Sequence, residues 1–339
     1  MKENEYSFIA SGYTDKVTKN GIYFLGLDEN GKGRVMERWE HLYNPSFLEY
    51  DRKNQRLFVA NEVESNCKID AYQVERKKLK YERSIKLKGR GLCHLLYNDK
   101  NKKIYGSCYG SGSFHCVDDN LNQFHGEVYP KKSTHKAHAH CCSLSHDGRW
   151  LVTTDLGLSY LEVYDLCLDV PFPVQLQQSV KLKRGLGPRE VKWNQAGNRM
   201  YVVNELGNTV GVYAFDNKGG KIIEELAQVK TSFLERRIKN YPASCIVTNN
   251  GKWMLLSNRG YNTISLFKIE EDGIPTLYKE YSCFGDWPRY IMLTKDEKYL
   301  LVANQRSSEI CVFRFEKEKN NLCFVQRIPV ENVSCIIEV

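Results

Sequence analysis

The chain lacks the marks of several function classes. No C-x-x-C pair occurs, and Cys141 and Cys142 are directly adjacent, so the ligand spacing of a structural zinc site is missing and no metal is expected. No apolar run approaches the roughly 18 residues that argue for a membrane span, which predicts a soluble protein. The opening stretch MKENEYSFIASGYT has no apolar core of signal-peptide length. The twelve cysteines are therefore expected to be reduced thiols filling the interior of a cytoplasmic protein. No long window keeps apolar residues at three- and four-residue spacing, which argues against long helices. The glycine-rich stretch GSCYGSGS at 106–113 has no lysine of the phosphate-loop type and reads as a turn between strands. No cofactor is expected.

What is present is an ordinary globular balance, with 42% hydrophobic and 27% charged residues. Lys and Arg exceed Asp and Glu by 49 − 41 = 8, a field that favours anionic partners. The positive residues are scattered and no nucleic-acid motif accompanies them, so an anionic small molecule is expected and nucleic acid is not. Nothing in the sequence fixes an oligomeric state.

At 339 residues, length alone suggests two domains, but the chain is internally repetitive. Six segments align without gaps: NPSFLEYDRKNQRLFVANE from Asn44, GLCHLLYNDKNKKIYGSCY from Gly91, HAHCCSLSHDGRWLVTTDL from His138, GPREVKWNQAGNRMYVVNE from Gly187, YPASCIVTNNGKWMLLSNR from Tyr241 and WPRYIMLTKDEKYLLVANQ from Trp287. Their second residues, at 45, 92, 139, 188, 242 and 288, are separated by 47, 47, 49, 54 and 46, the period of a four-stranded propeller blade. Each segment is an apolar stretch, a polar turn such as SHDGR or TNNGK, and a β-branched or aromatic run, which is a hairpin signature. A third strand follows in TVGVYAFD, TISLFKI and EICVFRF, then a variable outer strand. The C-terminal NVSCIIEV resembles a first strand and the N-terminal YSFIASG a second. Pairing them closes the ring and removes exposed sheet edges. The predicted fold is all-β: one seven-bladed β-propeller domain spanning residues 1–339, built of four-stranded antiparallel blades.

The residue sixteen after each anchor is Asn61, Cys108, Asp155, Asn204, Asn258 or Asn304. If one strand descends along the channel and the next returns, this spacing gathers strand ends at one mouth. It collects Ser46, His94, His138, His140, Arg189, Arg259 and Arg289 with Glu62, Tyr109, Asp155 and Glu205. The asparagines have an alternative reading as turn formers, whereas repeating turns do not call for different charged groups in successive blades. His41, His115, His125, His135 and His146 read as surface or loop residues.

Ten short motifs in order, GYT at 12–14, NPSFL at 44–48, CH at 93–94, HAH at 138–140, GPR at 187–189, VVNELG at 202–207, YPA at 241–243, SNRG at 257–260, WPR at 287–289 and VANQ at 302–305, resemble the lactonase family of seven-bladed propellers. That family includes propeller-type 6-phosphogluconolactonases and carboxy-muconate lactonizing enzymes. The resemblance implies hydrolysis of a lactone, with His140, Arg189 and Glu205 at the reacting centre. Glu205 or His140 would activate water and move the proton, and Arg189 would stabilise the oxyanion. Arg259 and Arg289 would grip a phosphate or carboxylate, with His94, His138 and Glu190 also in the substrate site. A phosphorylated sugar lactone is the leading substrate. Another carboxylated lactone, or a binding role without catalysis, uses the same mouth. The chain departs from the family at Glu190 and Tyr290, where His is usual, at Ser244, where Glu is usual, and at Cys141, where Gln is common. Glu190 either substitutes as a carboxylate or repels an anion.

Overall fold

In the computed structural model the described residues are 6–15, 19–40, 42–128, 136–167, 175–235 and 238–339. They form seven four-stranded antiparallel sheets. The first six blades start with the inner strands Pro45–Asp51, Leu92–Asn98, Ala139–Leu144, Pro188–Trp193, Tyr241–Val247 and Pro288–Leu293. The seventh combines Val333–Glu338 from the C-terminus with Tyr6–Gly12, Asn20–Leu27 and Gly33–Glu40 from the N-terminus. Ile9 pairs with Ile337 and Ala10 with Ile336, so the two chain ends share one blade as the sequence predicts. Each inner strand touches the inner strands on both sides, and the contacts close through Val333–Glu338 onto Pro45–Asp51. The result is a ring of seven blades.

The core lies between neighbouring blades. Phe58, Ala60 and Ile69 of the first blade pack against Leu92, Leu95 and Ile104 of the second. Tyr6, Phe8 and Leu25 of the seventh pack against Tyr299, Leu301 and Val312 of the sixth. A blade has apolar residues on both faces of its middle strands and can bury them only against its neighbours, which is why a ring forms. Outer strands such as Lys78–Lys86 are largely exposed and carry the polar surface. Among the described residues no disulfide forms, and every cysteine except Cys167 and Cys323 is buried. No helix among them is long and apolar enough to cross a membrane.

The sixteen-residue spacing is the register of the inner hairpins. Pro45 pairs with Asn61, Leu92 with Cys108, Ala139 with Asp155, Pro188 with Asn204, Pro242 with Asn258 and Pro288 with Asn304. Immediately after each anchor the inner strand is bulged, and the seventh blade has the same irregularity between Val333 and Cys335. A bulge inserts one unpaired residue and bends the strand, so it re-aims side chains beside it. Consecutive residues of one strand then line the same cavity: Ser46 and Phe47, Cys93 and His94, His140 and Cys141, Arg189 and Glu190, Arg289 and Tyr290.

Candidate active site

Those paired residues, with Ser334, surround a narrow cavity of about 20 Å³ on the channel axis, room for a water-sized molecule. A second chamber of about 180 Å³ shares Phe47, His94, Cys141, Glu190 and Tyr290 with it and adds Glu49, Leu96, Ser143, Lys192 and Trp193. The shared residues form a waist between a mouth half and a lower half of the channel.

The mouth is built on ion pairs that span blades. Glu205, just beyond the second strand of the fourth blade, holds two arginines through Oε2: Arg189 Nε of the same blade lies 3.0 Å away and Arg259 Nη2 of the fifth blade 2.5 Å away. Arg189 also donates from Nη1 to the Ala243 carbonyl at 2.5 Å, and Arg259 from Nε to the Tyr241 carbonyl at 3.1 Å. Arg289 of the sixth blade donates to Tyr13 Oη at 2.7 Å, Tyr13 donates to Glu62 Oε2 at 2.6 Å, and Arg289 lies 3.8 Å from the same carboxylate oxygen. Three guanidinium groups thus face two carboxylates, and the mouth keeps an excess positive charge.

This field acts on the imidazoles. Burial holds His140 well below the usual histidine range, and Arg189, Arg289, His94 and Arg259 push it further down. His94 falls to about 3, first through burial and then through Lys192 and Arg189. Both rings are therefore uncharged at neutral pH. The Nδ1 atoms of both are buried without a hydrogen-bond partner, an arrangement that leaves room for a proton to be accepted. Arg259 is lowered to about 10, chiefly by burial, with Glu205 opposing and Arg189 and Arg289 reinforcing, and it remains charged. Burial raises Cys93, and it raises Cys141 to about 12, so neither thiol is a thiolate nucleophile.

The remaining predicted residues take four different placements. His138 stacks on Tyr109 with centroids 4.2 Å apart, its Nδ1 lies 3.1 Å from the Tyr109 carbonyl, and Tyr109 meets His140 edge-on at 6.0 Å. Glu190 lines the cavity, but its carboxylate is committed to Lys192 Nζ at 2.9 Å and the Cys245 N–H at 2.9 Å. His94 sits at the waist against Phe47, its Nε2 3.7 Å from Cys141 Sγ. Asp155 accepts the N–H groups of His138 and Leu158 and so organises a turn.

Asn61, Asn204, Asn258 and Asn304 are buried and donate to neighbouring strands and loops, to Asp70, Thr209, Ser265 and the Cys283 carbonyl among others. Their recurrence is structural. His115, read from sequence as a surface or loop residue, is instead buried in the strand Ser113–Asp118, with Nε2 2.9 Å from Ser113 Oγ. An outer-hairpin histidine has no spacing signal to reveal that burial. His41 and His135 lie outside the described residues.

Tyr13, Tyr290 and Trp287 also shape the mouth or waist, and sequence reasoning gave them no role. All three sit in or beside motifs already quoted, GYT and WPR.

Comparison with known proteins agrees with the fold. The pattern of the lactonase family, described as a 7-bladed beta-propeller, matches residues 7–338. A protein of Formosa agariphila named 6-phosphogluconolactonase is 27% identical, covering 96% of each chain. One of Bacillus subtilis with the same name is 25% identical over 92% of this chain and 93% of its own. The solved structure of a periplasmic gluconolactonase of Pseudomonas aeruginosa superposes with a TM-score of 0.89 at 20% identity, covering 98% of this chain and 99% of that one. With a family match running across nearly its whole length, the chain belongs to the lactonase family of seven-bladed β-propellers.

Proposed function

We propose that this protein hydrolyses a phosphorylated sugar lactone, 6-phosphogluconolactone to 6-phosphogluconate, in the cytoplasm as a step of the oxidative pentose phosphate route. Homologues bearing the 6-phosphogluconolactonase name support the lactone chemistry. The observation that carries the reading is an uncharged, buried imidazole facing the same cavity as a guanidinium: His140 beside Arg189.

Lactone hydrolysis needs an activated water, a positive group where charge develops on the carbonyl oxygen, and a proton for the departing alkoxide. The Glu205 carboxylate is engaged by two arginines, which makes it a positioning group. The proton of water therefore passes to His140 as the water oxygen bonds to the carbonyl carbon. Arg189 stabilises the oxyanion. The ring C–O bond then breaks, and the imidazolium returns the proton to the alkoxide. The new carboxylic acid ionises to solvent at neutral pH.

Burial first, and then the arginines, depress the basicity of His140 in the free protein. An anionic substrate offsets the arginines' part of that shift, so binding itself raises the basicity of His140.

The test is hydrolysis of freshly generated 6-phosphogluconolactone above the spontaneous rate, followed by coupled oxidation of the product. Wild-type acceleration that is lost in Arg189→Ala and Glu205→Gln supports the reading. A wild type that does not accelerate the reaction removes this substrate.

A further inference from the structure

The two arginines expected to hold the substrate's anionic group are already heavily engaged. Arg259 is bound to Glu205 and the Tyr241 carbonyl, and Arg289 to Tyr13 beside Glu62. An incoming phosphate needs donors that are less committed.

The position just before each anchor shows where they are. In most blades this residue has a left-handed backbone: Asn44 (φ 41°), Gly91 (φ 64°), Gly187 (φ 62°), Trp287 (φ 65°) and Asn332 (φ 44°). Glycine and asparagine adopt that conformation at little cost, whereas a bulky aromatic there is strained. Blades three and five carry His138 and Tyr241 at this position without the left-handed backbone; among the blades that have it, Trp287 is the one residue that is neither Asn nor Gly. Strain of this kind persists where surrounding structure enforces it and the side chain is useful.

The enforcement is visible. The Trp287 N–H donates to Asn262 Oδ1 at 3.0 Å, and its carbonyl accepts the Gln305 N–H at 3.0 Å. The Arg306 N–H donates to the Asp286 carbonyl at 3.1 Å, and the Asp286 N–H to Ser307 Oγ at 2.9 Å. The ring these bonds hold carries two guanidinium groups: Arg306 at 3.4 Å from its centroid and Arg259 at 5.4 Å. Arg306 is exposed, and among the described residues its side chain has no carboxylate within ion-pair distance. A guanidinium stacked on an indole keeps its in-plane N–H groups free and pre-oriented for two phosphate oxygens.

We propose that Trp287 and Arg306 form an outer anion subsite at the mouth, which receives the phosphate of a phosphorylated sugar acid or lactone. The subsite deepens the lactonase reading and rests on it for the identity of the sugar ring.

Its test is independent of turnover. Binding of 6-phosphogluconate and of gluconate is measured by calorimetry for the wild type, Arg306→Ala, Arg306→Lys and Trp287→Asn. The expected result is tighter binding of the phosphorylated acid by the wild type and a loss of roughly tenfold or more for that acid alone in Arg306→Ala, the scale of a charge-assisted hydrogen bond. Arg306→Lys restores part of it. Trp287→Asn keeps a side chain that blades one and seven already use at this backbone position, and it shows a smaller phosphate-specific loss.

Equal weakening of both acids, no weakening, or a wild type that does not distinguish them overturns the subsite. Phosphate-selective binding without lactone turnover would instead retain the subsite and remove the enzymatic reading.

Discussion

The two halves of the central channel use charge in different ways. At the mouth, charged groups from separate blades are tied together: Glu205 links the fourth blade to the fifth, and the chain Arg289–Tyr13–Glu62 runs from the sixth blade through Tyr13, just after strand Tyr6–Gly12 of the seventh, to the first. From the waist down, the one salt bridge among the described lining residues joins Glu190 and Lys192, two residues apart on a single strand. The wall around it is largely apolar and aromatic, with Leu96, Trp193 and Tyr290. The upper arrangement exists only when the ring is assembled, and it keeps unspent positive charge; the lower one is local and nearly self-neutralising. Chemistry that needs several groups converging on one atom belongs at the mouth.

The sharpest test of this contrast is paired substitution. His140→Ala is expected to lower kcat by about 10²- to 10⁴-fold, the usual worth of a general base. Lys192→Met in the lower chamber is expected to leave kcat within about threefold. Its cost falls on stability, about 1–2 kcal/mol in urea unfolding, because the Lys192 side chain is partly exposed and the Glu190 carboxylate left behind still accepts the Cys245 N–H. Comparable losses of turnover at the two positions would erase the distinction between the halves.

Glu205→Gln examines the same contrast through stability. Removing its charge leaves Arg189 and Arg259, both buried, without their shared carboxylate. Breaking such a pair costs about 2–4 kcal/mol after allowance for the partial exposure of Glu205, read as a lower urea midpoint with an unchanged slope. Turnover should fall with it, since Arg189 loses its orienting partner. Full stability in this variant would mean that the arginines are held by the Ala243 and Tyr241 carbonyls alone.

Much of this is legible in the sequence. The constant sixteen-residue interval is a hairpin register, and register follows directly from strand and turn lengths, so the pairing of Pro188 with Asn204 could be read from the string. The seam between Ile9 and Ile337 was legible because each chain end carried half of a blade pattern.

The bulge after each anchor was hidden, because an extra residue present in every repeat leaves the repeat spacing constant. Without it, strand alternation alone puts the adjacent pairs Arg189–Glu190 and Arg289–Tyr290 on opposite faces, and only the family resemblance places Arg189 and Glu190 in one site. Nor does residue type reveal that Glu205 is shared by two blades, or that Glu190 turns its carboxylate toward Lys192. Those choices depend on which partner comes within about 3 Å once the ring closes.

The acid side of the stability curve separates the waist from the wall beneath it. His94 has a folded pKa near 3 against an ordinary 6.5. Its contribution is complete above pH 6.5 and is lost as pH falls toward 3, because the unfolded chain takes up a proton that the folded one refuses. His94→Asn is expected to flatten that limb, measured as the urea midpoint against pH. An unchanged limb would place the acid sensitivity elsewhere.

Glu49 in the lower chamber has the opposite sign and makes the smallest, most specific prediction. Burial raises its carboxyl from 4.5 to about 7, while the Tyr97 N–H, Lys192 and Arg52 pull it partly back. The folded protein therefore holds this proton more tightly than the unfolded chain does. Its stabilising contribution is complete below pH 4.5 and declines as pH rises to about 7, above which a charged carboxylate sits in a wall that does not fully pair it. Glu49→Gln keeps the shape and removes the titration. The variant should match the wild type near pH 4.5 and become the more stable of the two above pH 7, with turnover at the mouth little altered. A variant less stable than the wild type at pH 8 would show that Lys192 needs the Glu49 charge in addition to Glu190, and that the lower chamber is a charge network like the mouth rather than a wall with one local pair.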